Sequence, residues 1–266
     1  MSALAPEPIL HVGSFPVTNA YINSTIAVVV LIVAAFFIRM TLRDIPGRFQ
    51  SAVESLIEWL LGMFDQVTGD RGRSKKFLPL VGTLFFFILL SNWMGLLPGT
   101  GSIGLTTGGE GHGLTSILRP ATSDLNLTLA MAVVSVLFSH ILGIVTLGFF
   151  THANKFIQLG TLWKALKSLN PVNVLVALVE MVVGVIEIFS EIAKVVSLSL
   201  RLFGNIFAGE VLITVIAGLV AFILPIPFML LEIIVGIVQA SVFALLTLVY
   251  LTVSTNLPHG EEATAH

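Results

Sequence analysis

The sequence predicts an all-α, polytopic membrane protein, and three observations carry that prediction. Residues of the AVILMFWYC set make up 56% of the 266 positions, and mean hydropathy is +1.00. Only 11% are charged, against about 25% in soluble domains, too few to solvate a globular surface. The apolar runs reach the length of about 20 residues that crosses a hydrocarbon core about 30 Å thick. Within lipid a backbone must satisfy its own polar groups, which leaves helices or closed barrels, and barrel strands are short and alternating. These runs are long and continuous, so they are helices.

The totals also exclude classes of function. A net charge of −2 argues against nucleic acid as a partner, and zero cysteines rule out disulfides, thiolate metal sites and cysteine nucleophiles. No Walker-type G-x-x-x-x-G-K-[ST] occurs, so the chain has no such nucleotide site. No metal or cofactor is expected.

In chain order, residues 1–19 read as a tail without a basic signal-peptide start, and 20–38 form the first span. Residues 47–70 differ. Phe49, Ala52, Val53, Leu56, Ile57, Leu60, Leu61, Phe64 and Val67 recur at three- and four-residue spacing, with Glu54, Glu58 and Asp65 off that face. That pattern predicts an amphipathic helix at the membrane surface. Residues 77–97 are the second span, 98–124 a Gly-rich loop and 125–150 the third span. Residues 171–224 are apolar throughout, and as one helix would run about 80 Å, more than twice the hydrocarbon thickness. No basic loop or Pro–Gly break marks a turn, so one strongly inclined helix is expected. Pro225 and Pro227 then open the final span, 228–254, leaving 255–266 as a tail. The single membrane domain thus holds about five membrane helices and one surface helix.

Basic residues set the orientation. Arg39, Arg43, Arg48, Arg71, Arg73, Lys75 and Lys76 lie between the first two spans, and Lys155, Lys164 and Lys167 follow the third. Only Arg119 sits in the Gly-rich loop. The N-terminus is therefore expected outside and the C-terminus in the cytoplasm.

Two features resemble sites without the context for them. Gly99-Thr-Gly101-Ser-Ile-Gly104 matches G-x-G-x-x-G but follows a span and runs into more glycines, not a βαβ unit. His140 lies inside an apolar run, but haem needs suitably placed axial ligands.

The chemistry sits in the last two apolar stretches. Glu180, Glu187, Glu191, Lys194, Arg201, Glu210 and Glu232 stand where hydrocarbon is expected. Charge at the bilayer centre costs from a few to more than ten kcal/mol, so these groups face a cavity, a partner or one another. At 100° per residue Glu180, Glu187, Glu191, Lys194, Arg201 and Asn205 fall within about 80° on one face. Glu191 and Lys194 are spaced to pair, whereas Arg201 has no acid three or four residues away. Glu210 lies about 13 Å beyond Arg201 on another face, and Glu232 and Gln239 share a face of the last helix. Carboxyl groups can load and unload protons, and a guanidinium cannot. Acids therefore flank a fixed cation.

The segment Ser197-Leu-Ser-Leu-Arg-Leu-Phe-Gly-Asn-Ile-Phe-Ala-Gly-Glu210 resembles the central signature of subunit a of the F-type ATP synthases. Asn92-Trp-Met-Gly-Leu-Leu-Pro98, Ser123-Asp-Leu-Asn-Leu-Thr-Leu129 and Gln239-Ala-Ser-Val-Phe-Ala-Leu-Leu-Thr-Leu-Val-Tyr250 extend the likeness in the same order. The resemblance implies a non-catalytic, proton-translocating stator subunit beside a rotating ring of c subunits, with b-type peripheral-stalk subunits and the lipid bilayer as further partners. The last two helices would form an inclined hairpin against that ring. Arg201 is similar to the arginine that faces the ring carboxylates. Asn205, Glu210, Glu232 and Gln239 match positions of the outside half-channel, with Asp124 near its mouth, and Glu187 matches one at the inside half-channel. Leu202 and Ile206 would then lie within cross-linking reach of the ring. Members of the family often carry His at one of the positions held here by Glu210 and Glu232. The implied location is a bacterial inner membrane. An ion-coupled secondary transporter also uses buried acids and a cation, and differs in predicting substrate flux by this chain alone.

Overall fold

The computed structural model describes residues 8–12, 15–97, 104–105, 115–116, 119–149, 151, 171–220 and 223–256. Six helices dominate: α1 Asn19–Thr41, α2 Arg48–Thr68, α3 Arg71–Met94, α4 Leu125–Leu147, α5 Pro171–Leu219 and α6 Pro225–Thr255. Five of them, all but α2, are long and apolar enough to cross a membrane. Two antiparallel strand pairs, β1 Pro8–Val12 with β2 Phe15–Thr18 and β3 Gly104–Leu105 with β4 Thr115–Ser116, and a short 3-10 turn at Ala121–Ser123 complete the described elements. The tail and loop positions that hold them carry no alternating pattern long enough to announce a strand. Residues 152–170, with Lys155, Lys164 and Lys167, lie outside the described residues.

The first span starts where Thr18 caps α1, its side chain accepting from the Tyr21 backbone N–H. Much of α1 is exposed, with Ile32, Phe36 and Phe37 turned outward, as suits a lipid-facing helix at the edge of a bundle. α2 buries Leu60, Leu61 and Phe64 and leaves Glu54 and Glu58 outside. It is the amphipathic member of the set, packed against α3 and α6. Gly69 ends it at φ 67°, a left-handed conformation that costs glycine little, and its N–H donates to Asp65 O at 2.9 Å. Asp70 then caps α3 by accepting from the Arg73 N–H at 2.9 Å. The α2–α3 corner is tied further by Arg71, whose guanidinium binds both Asp65 and Glu58.

α5 is one continuous helix of 49 residues. At 1.5 Å per residue it is about 73 Å long, so it exceeds a perpendicular crossing more than twofold. It ends at Leu219, and Pro225 and Pro227 start α6, where a missing N–H costs nothing. α5 and α6 pack together as a hairpin, with α3 and α4 against them. The shared core holds Leu60 and Phe64 of α2, Phe85 of α3, Leu198 and Leu202 of α5, and Phe243 and Leu248 of α6.

That core corrects one expectation. Leu202 is fully buried and Ile206 is 3% exposed, so neither is available to a neighbouring subunit. Leu198, Leu202 and Ile206 form a four-residue row that turns inward, and Gly209 continues it. The outward row of the same helix is Ser197, Arg201, Asn205, Ala208 and Leu212.

Candidate functional site

Three polar groupings lie along the α5–α6 hairpin. The first surrounds Glu210. Its carboxylate pairs with the Arg119 guanidinium, Nε standing 2.8 Å from Oε1 and 3.1 Å from Oε2. Arg119 is only 9% exposed, and its backbone carbonyl accepts from Asn23 Nδ2 of α1 at 2.6 Å. Asn23 is itself fully buried. Three distant parts of the chain, α1, the end of the Gly-rich loop and α5, are thereby joined through one residue.

Glu232, on α6, lies against α5 one position away from Glu210. It is 8% exposed, and its Oε1 is buried without a hydrogen-bond partner among the described residues. A Cβ placed on Gly209 would come within 2.1 Å of Glu232 Oε2, so the carboxylate fills the space that glycine leaves. One helix turn away, Asn205 Nδ2 donates to Gln239 Oε1 at 2.7 Å and links the two arms of the hairpin. Asn205, Glu210, Glu232 and Gln239 are thus brought to one stretch of the hairpin. Asp124 is at the same end of the bundle as Arg119, as the N-cap of α4, its Oδ1 accepting from the Asn126 N–H at 2.9 Å. Beside it Thr122 donates to Asn92 Oδ1, and Trp93 Nε1 donates to the Ile233 carbonyl at 3.3 Å, fastening α3 to the cap and to α6.

The second grouping is at the other side of Arg201. Lys194 Nζ is 2.6 Å from Glu191 Oε1, His140 Nε2 of α4 is 3.4 Å from Glu191 Oε2, and Lys194 stands 5.4 Å over the Tyr250 ring. The pairing of Glu191 with Lys194 is realised, and His140 is engaged with a carboxylate. Glu187 is half-buried one turn before Glu191. The side chain of Glu180 lies outside the described residues.

The third is Arg201 itself. Its guanidinium is exposed, its nearest polar contact is Ser197 Oγ at 3.5 Å, and no carboxylate pairs with it among the described residues. From Glu191 to Glu210 the helix rises about 28 Å, with Arg201 near the midpoint.

Sequence reasoning missed Arg119, Asn23 and Gly209. Arg119 had one signal, being the lone basic residue of the Gly-rich loop. Its partner is 91 residues away, and nothing local indicates the contact.

A helical membrane protein with acids on both sides of an exposed, unpaired arginine defines the class: a multi-pass protein built to handle charge inside a membrane. The family model described as "ATP synthase A chain" matches residues 21–252, and the chain belongs to that family. It is 33% identical over 260 residues to ATP synthase subunit a of Moorella thermoacetica, which covers 98% of this chain and 100% of that one. Similar proteins include ATP synthase subunit a of Trichlorobacter lovleyi, 31% identical over 95% of this chain and 94% of its own. That of Mycobacterium ulcerans is 34% identical over 90% and 88%. The chain is therefore a non-catalytic membrane subunit of an ATP synthase, with a role in its proton channel.

Proposed function

We propose that this chain is the stator that converts proton flow into rotation of a ring of c subunits, with Arg201 facing the ring carboxylates. The observation that carries this is the exposed guanidinium on an apolar helix. Among the described residues no carboxylate neutralises it. Leaving such a charge in lipid costs from a few to more than ten kcal/mol, so its counter-charge comes from another chain. The outward row of α5 on which it stands is otherwise small or apolar around Ala208 and Leu212, which suits a surface that a helix ring slides past.

Asn205, Glu210, Glu232 and Gln239 line the half-channel that opens outside, with Asp124 near its mouth, and Glu187 marks the half-channel to the cytoplasm. The N-terminus is outside and the C-terminus cytoplasmic, in a bacterial inner membrane. The basic residues of the α1–α3 connection support this orientation. A proton arriving by the outer path neutralises a ring carboxylate, which can then enter lipid. After nearly a full turn that carboxyl reaches Arg201 from the inner side. The fixed cation favours its ionised form, so the proton leaves by Glu187. Each charge that crosses supplies about 2.3 kcal/mol per 100 mV, and the offset of the two paths makes that energy a sideways bias. The same guanidinium keeps protons from passing directly between the paths. The b-type stalk subunits hold the stator still.

The test is Arg201→Ala in the assembled complex. Proton-driven ATP synthesis is expected to be lost, and retained coupled synthesis would refute the reading. A secondary transporter would instead show substrate flux from the isolated chain in liposomes.

A further inference from the structure

The two outer acids occupy opposite electrostatic situations. Glu210 has a full counter-charge, with Arg119 touching both of its oxygens at 2.8 and 3.1 Å. The main chain at Arg119 is anchored, its carbonyl accepting from the buried Asn23. Glu232, a neighbour across Gly209, has a buried oxygen and no ion pair among the described residues. A carboxylate in that position has no counter-charge among the described residues, whereas Glu210 has one in direct contact.

Resting on the outer half-channel reading above, we infer that the two acids divide the work. Glu232 is the group that carries the proton, and Glu210 is a fixed anion held by Arg119, which acts as its positioning residue. The Arg119 guanidinium holds both oxygens of Glu210, so the pair shapes the path as a fixed element. The charged groups described at this end of the bundle are Arg119 and Glu210, with Asp124 at the cap of α4. α3 contributes Asn92 and Trp93, which do not titrate in the working range. Of the acids of α2, Glu58 and Asp65 are engaged by Arg71, and Glu54 accepts from Gln50 on the exposed face.

The experiment uses the whole ATP synthase in inverted membranes, with subunit assembly measured for each variant and proton pumping and ATP synthesis as readouts. Arg119→Gln and Glu210→Gln each leave one charge unpaired, and both are expected to slow proton transfer. Contacting charges couple strongly, so the double variant should be at least about five-fold faster than either single one. A double variant no faster than Glu210→Gln would overturn the division, because Glu210 would then be carrying protons itself. The dependence of synthesis on outside pH gives a second decision that needs no charge deletion. Glu232→Asp is expected to move its midpoint and Glu210→Asp to leave it in place. A midpoint moved by Glu210→Asp would overturn the inference even if Arg119→Gln fails to assemble. Unaltered transport in Glu232→Gln would instead reject the outer half-channel reading on which the division rests.

Discussion

The carboxylate of Glu232 sits in the space a side chain at Gly209 would need, with Oε2 only 2.1 Å from the position of a Cβ there. The absence of one methyl group on α5 therefore sets where an acid of α6 can stand. Gly209→Ala should push the carboxylate aside while leaving the hairpin folded, because the clash is with the end of a flexible side chain. Proton pumping by the assembled complex is expected to fall, with subunit a still present in normal amount. Full pumping in this variant would show that the position of Glu232 does not matter.

The Glu191–Lys194–His140 grouping joins α4 to α5 with partly buried charges. Lys194→Met leaves Glu191 with only the longer His140 contact. A hydrogen bond to a charged group contributes about 1.5–3 kcal/mol, so a thermal unfolding midpoint below that of the parent complex is expected. An unchanged midpoint for Lys194→Met would remove the stabilising role.

The α2–α3 corner is expected to respond to acid. The Arg73 and Gly72 backbone N–H groups hold the Asp70 carboxyl below the usual aspartate range, and Ser74 and Arg71 do the same for Asp65. A carboxyl whose folded value is depressed binds fewer protons folded than unfolded. Its stabilisation is complete above the ordinary aspartate pKa of about 3.9 and is lost as pH falls through the lower folded value. Hydrogen exchange at the Arg73 amide should therefore accelerate as pH drops below that range, after correction for the intrinsic rate. Asp70→Asn, which can still cap the helix, should flatten that response. An acid-insensitive parent corner would contradict the assignment.

Local patterns made much of the architecture legible. The three- and four-residue spacing from Phe49 to Val67 announces α2, and the lack of a break before Pro225 announces the single long α5. Glu191 with Lys194 was readable because three residues on a helix bring side chains together. What escaped depends on contacts between distant segments. Arg119 reaches Glu210 over 91 residues and Asn23 reaches Arg119 over 96, and helical periodicity carries no information about such pairs. Leu202 and Ile206 follow Arg201 closely in sequence, yet their row turns into the core because α4 and α6 pack against that side of the helix. The periodicity of an apolar helix in lipid does not tell its packed face from its lipid face, since both are hydrophobic.

The central claim is that the outward row of α5 through Arg201 meets the c ring. Because the chain has no cysteine, a single introduced one reports its own position. Leu212 is on that row and 42% exposed, and Leu202 is fully buried on the row that turns into the core. Cross-linking in intact membranes should join Leu212→Cys to a c subunit bearing its own cysteine and leave Leu202→Cys unlinked. A ring adduct from Leu202→Cys with none from Leu212→Cys would contradict the account.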